Sequence, residues 1–83
     1  RRYVEALLKL GELDRTVNRY EIAKTELSDA LNIAQKHFPQ DTNLNCECLN
    51  AYACYFSELG KDKEAKELFD RASKLKLTDL IEE

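Results

Sequence analysis

Apolar residues recur every three to four positions along most of the chain, and this spacing predicts four helices. The first covers about residues 2–16 with Val4, Leu7, Leu8, Leu10 and Leu13, followed by Val17, and is apolar on more than one face. The second covers about 20–37, with Ala23, Leu27, Ala30, Leu31, Ala34 and Phe38 on one stripe. The loop FPQDTN follows and holds the only proline; Asp41 or Thr42 suits the N-cap of the next helix. The third helix covers about 42–58 and is expected to bury Leu49, Tyr52, Ala53, Phe56 and Leu59. Gly60 ends it, as a residue able to take positive φ. The fourth covers about 61–76 with Ala65, Leu68, Phe69, Ala72 and Leu75. Connections this short make neighbouring helices antiparallel. Two glycines and one proline in 83 residues leave little room for other turns.

The two halves match at an offset of 42 residues. Glu5 meets Glu47, Leu7 meets Leu49, Ala23 meets Ala65, Lys24 meets Lys66 and Ala30 meets Ala72. Gly11 meets Ala53, and Asn18 meets Gly60, two residues that suit a turn between helices. Such a period marks stacked supersecondary units. Small residues (Gly11, Ala23, Ala30; Ala53, Ala65, Ala72) let paired helices approach, and Tyr52, Phe56 and Phe69 fill the space around them. The expected fold is all-α, two antiparallel helix-turn-helix hairpins stacked as a short right-handed α-solenoid. The units are 1–40 and 41–76, and 77–83 is a helical extension or cap. Leu77, Leu80 and Ile81 at i, i+3 and i+4 suit a tail that extends the fourth helix and packs as a cap or against a second chain.

Composition removes several function classes. Thirteen basic and sixteen acidic residues give a net charge of −3, with no basic footprint for nucleic acid or an anionic membrane surface. No stretch approaches the roughly 20 apolar residues of a membrane span. The chain begins at Arg1 without a signal-peptide pattern, and is expected to belong to a longer polypeptide. Cys46, Cys48 and Cys54 are odd in number and clustered, which points to free thiols and a reducing, cytoplasmic compartment. Cys46 and Cys48 project about 200° apart on a helix, against their sharing one metal ion; Cys48 and Cys54 suit small core fillers. His37 closes the second helix, where a cation favours the dipole. No phosphate loop and no nucleophile–base set is present, so neither an enzyme nor a cofactor is expected.

The second unit, through LNAYA, FSELGK, EA and LFDRA, resembles the tetratricopeptide repeat: Gly60, Ala65, Phe69 and Ala72 match its pattern directly, and Leu49, Tyr52, Ala53 and Phe56 by substitution. The first unit matches through Leu7, Leu10, Gly11, Tyr20, Ala23, Leu27 and Ala30. It departs at Asp14, where an aromatic is usual, and at Asn18, where glycine is usual. The 42-residue period and the HFPQDT loop look like the kinesin light chain subclass. The resemblance implies a non-catalytic protein–protein interaction module, a fragment of a scaffold or adaptor whose first helices line a concave groove for a peptide or partner helix. The groove positions it implies are Glu5, Leu8, Lys9, Glu12 and Arg15, then Glu47, Asn50, Ala51, Cys54 and Ser57. The Asn50 amide can both donate to and accept from a peptide backbone. Three glutamates make the groove acidic, so neutral, apolar or basic peptides suit it better than acidic C-terminal tails. A homodimer or further flanking repeats are other expected partners. The alternative is a regulatory or oligomerisation segment of a larger signalling enzyme, such as a repeat-tailed ATPase.

Overall fold

The computed structural model describes residues 2–82, and from residue 78 onward the backbone only. Four α-helices follow one another: α1 (Arg2–Thr16), α2 (Tyr20–His37), α3 (Thr42–Glu58) and α4 (Asp62–Glu82). No strand occurs among the described residues. α1 packs on α2 and α3 on α4, making two hairpins; α2 also packs on α3, and α1 touches α3 along one side. α4 continues past the expected end near residue 76 as far as Glu82, because TDLIE contains neither glycine nor proline to stop it. How the side chains of Leu80 and Ile81 pack lies outside the described residues.

Each hairpin turns through the same hydrogen bonds. In the first, the Asn18 N–H donates to the Arg15 carbonyl at 3.1 Å and the Arg19 N–H to the Asp14 carbonyl at 2.7 Å. In the second, Gly60 donates to Ser57 at 3.1 Å and Lys61 to Phe56 at 2.9 Å, the same bonds 42 residues on. This bond pattern needs a left-handed residue at its centre. Asn18 and Gly60 supply it, with φ of 66° and 79°. Asparagine tolerates this conformation, and its side-chain oxygen accepts from the Tyr20 hydroxyl at 2.9 Å. Between the hairpins, α2 stops ahead of Pro39 and the Asp41 carboxylate caps α3 by accepting from the Leu44 N–H at 3.2 Å. The buried Asn45 amide fastens this loop, donating to the carbonyls of Phe38 at 2.8 Å and Asp41 at 3.0 Å.

Small residues set the helix spacing. Gly11, Ala23, Ala30, Ala53, Ala65 and Ala72 are all buried. A Cβ on Gly11 would sit 2.7 Å from Leu27 Cγ, so the Leu27 side chain fills the space that a larger residue at Gly11 would need. Burial corrects the sequence expectation elsewhere. Leu10, Leu13, Val17, Leu59, Phe69 and Leu75 stay exposed, although their spacing suits a core. Tyr55, Leu44 and Cys46 are buried instead, because α3 lies between two helices and is covered on more than one face.

Candidate functional site

The contact between α1 and α3 leaves an open cleft of about 580 Å³. Residues three to four apart line it: Glu5, Leu8, Lys9, Glu12 and Arg15 from α1, and Glu47, Asn50, Ala51 and Cys54 from α3. Such steps hold side chains on one face of a helix, and in α1 that face lies beside the one that carries Gly11 onto α2. These are the positions expected from the sequence, with one exception. Ser57 is exposed on the last turn of α3 and does not line the cleft. Beside it Glu58 accepts from Arg15 Nη1 at 2.7 Å, tying the ends of α1 and α3 together.

Leu8, Ala51 and Cys54 form the apolar part of the cleft, the first buried and the other two half-buried. Glu12, Glu47, Lys9 and Asn50 are exposed around them. The Glu12 and Glu47 carboxylates stand at the rim beside Lys9, and Arg15 is already engaged by Glu58. The nearby Cys48 thiol is pushed up to about 11 by burial and then by the Glu47 charge, which holds it protonated. Cys46 Sγ reaches the Ala72 carbonyl at 3.4 Å and serves the α3–α4 contact. Among the described residues, no three His, Cys, Asp or Glu side chains come together as a metal site. No described helix is long and apolar enough to cross a membrane.

One feature escaped the sequence reading. Asp14 on α1 and Glu26 on α2 share a hydrogen bond, and the Glu26 carboxyl is raised to about 7 by burial, by that bond and by the Asp14 charge. Oε1 of Glu26 is buried without a hydrogen-bond partner. The signal was present in the repeat offset: Asp14 and Glu26 occupy the positions of Phe56 and Leu68.

No protein-family model, no curated protein and no solved structure matches the chain.

Proposed function

We propose that the chain is a non-catalytic interaction module of tetratricopeptide type, part of a cytoplasmic scaffold, and that it holds an extended or helical peptide in the cleft between α1 and α3. The observation that carries this is the cleft itself. It is open, about 580 Å³, and lined by side chains of two adjacent first helices. Pockets of this size with a few polar groups on an apolar floor suit a short stretch of chain. Leu8, Ala51 and Cys54 would take an apolar side chain. Asn50 would pair with the peptide backbone, and the exposed Glu12 and Glu47 would favour lysine or arginine in the ligand.

The test is peptide display against the wild type and against Glu47→Lys/Asn50→Ala, after circular dichroism has shown both to be folded. A basic or apolar motif selected by the wild type and lost in the double mutant supports the proposal. A selection that returns no motif from the wild type, or the same motif from both, removes it.

A further inference from the structure

On the side of α1 away from the cleft, Tyr3, Leu10, Leu13 and Val17 are 65%, 47%, 59% and 52% exposed. Their spacing, with exposed Ala6 among them, places them along one side of the helix. The offset of 42 carries these positions onto Asn45, Tyr52, Tyr55 and Leu59, and Ala6 onto Cys48. There most of the same side is covered: Asn45, Cys48 and Tyr55 are only 4%, 0% and 5% exposed and Tyr52 is half-buried, while Leu59, past the end of the helix, stays exposed. The cover is α2, which packs along α3 and sets its Tyr20 ring 6.3 Å from that of Tyr55. The hairpins share their turn geometry and their small-residue contacts, so the side of α1 is built like the side of α3 but lacks the helix that α3 has. An exposed apolar face of this extent marks an interaction surface.

The opposite end differs. On α4 the positions of Tyr20, Leu31 and Ala34 are taken by Asp62, Ser73 and Lys76, all exposed. A helix seated there would bury a charge or hydroxyl at each. Those three polar positions count against α4 of a second copy as the cover, although Phe69, Leu75 and Leu77 are exposed on the same helix, and α2 of a second copy is already occupied by its own α3.

We infer that the outer side of α1 docks a further helical hairpin of the 2–38 pattern, seated so that its second helix lies along α1 as α2 lies along α3. The occupant is an amphipathic helix carrying apolar and small residues in the order of Leu27, Leu31, Ala34 and Phe38. This surface faces away from the cleft and does not rest on the peptide-binding proposal.

The test duplicates residues 1–42 directly ahead of Arg1, so that the copied α2 meets the native α1 in the register in which α2 meets α3. The longer chain is expected to gain helix in proportion to its length and to melt about 10 °C higher than the 83-residue chain. Leu10→Lys with Leu13→Lys in the native α1 should erase that gain, while moving the 83-residue chain by no more than about 2 °C, since both side chains are exposed there. Amide exchange in the native α1 should slow in the longer chain. A copied hairpin that adds no helix, an unchanged melting point, or a gain indifferent to the two lysines overturns the inference. So does sedimentation of the 83-residue chain as a dimer that Leu13→Lys dissociates, because the face then belongs to a second copy.

Discussion

The two hairpins share a turn, a set of small contact residues and a register, yet they close their interiors with different chemistry. In the second, Phe56 is half-buried and Leu68 buried between α3 and α4. At the same positions the first has the carboxyls of Asp14 and Glu26, which share a hydrogen bond. The first hairpin also has Gly11 where the second has Ala53, and it leaves one side of its first helix open where the second is covered. The common elements are those that shape the backbone. The differences fall on side chains that set stability and determine what each surface meets.

Equivalent positions in the two hairpins should therefore respond unequally to substitution. The largest should come from Leu27→Ala, since Leu27 is fully buried against Gly11; a loss of about 3 kcal/mol is expected. Its counterpart Phe69 is 40% exposed, so Phe69→Ala should cost about 1 kcal/mol by chemical denaturation. Equal losses would mean that the two hairpins bury these positions alike. Next comes Gly11→Val, whose branched side chain must displace Leu27; about 2 kcal/mol should be lost, against a smaller loss for Ala53→Val if the second hairpin has more room.

The carboxyl pair should then show itself through pH. Below about 4.5 both the folded and unfolded chains hold the Glu26 proton, and above about 7 neither does. Between these values only the folded chain keeps it, so each rise in pH withdraws stability over that window. Glu26→Leu, which copies Leu68, should remove this slope and raise stability at pH 8 by about 1 kcal/mol, a figure reduced for partial exposure. Melting curves at pH 5 and pH 8 would show it; an unchanged slope would place the proton elsewhere. The smallest effects belong to the turns. Gly60→Ala forces a Cβ into left-handed backbone and should cost about 1 kcal/mol, whereas Asn18→Gly should stay within about 0.5 kcal/mol.

Much of this architecture was legible in the pattern of residues. The spacing of apolar positions located all four helices, and Asn18 and Gly60 marked the turns that the backbone bonds repeat. The residues expected to line a groove do surround the cleft, apart from Ser57. What stayed hidden depended on neighbours. A period identifies a face, but not whether a helix lies against it. Leu59 was therefore expected in the core although it is exposed, and the burial of Leu44, Cys46 and Tyr55 went unseen. Asp14 and Glu26 are far apart along the chain, and only the antiparallel pairing of α1 and α2 brings their carboxyls together.

Peptide binding in the α1–α3 cleft can be followed by amide chemical shifts recorded as a peptide of the selected basic or apolar motif is added. Saturable shifts centred on Lys9, Glu47, Asn50 and Cys54 are expected, and should be absent in Glu47→Lys/Asn50→Ala. Shifts centred on Leu10 and Leu13, or none up to millimolar peptide, would mean that the cleft does not hold the peptide.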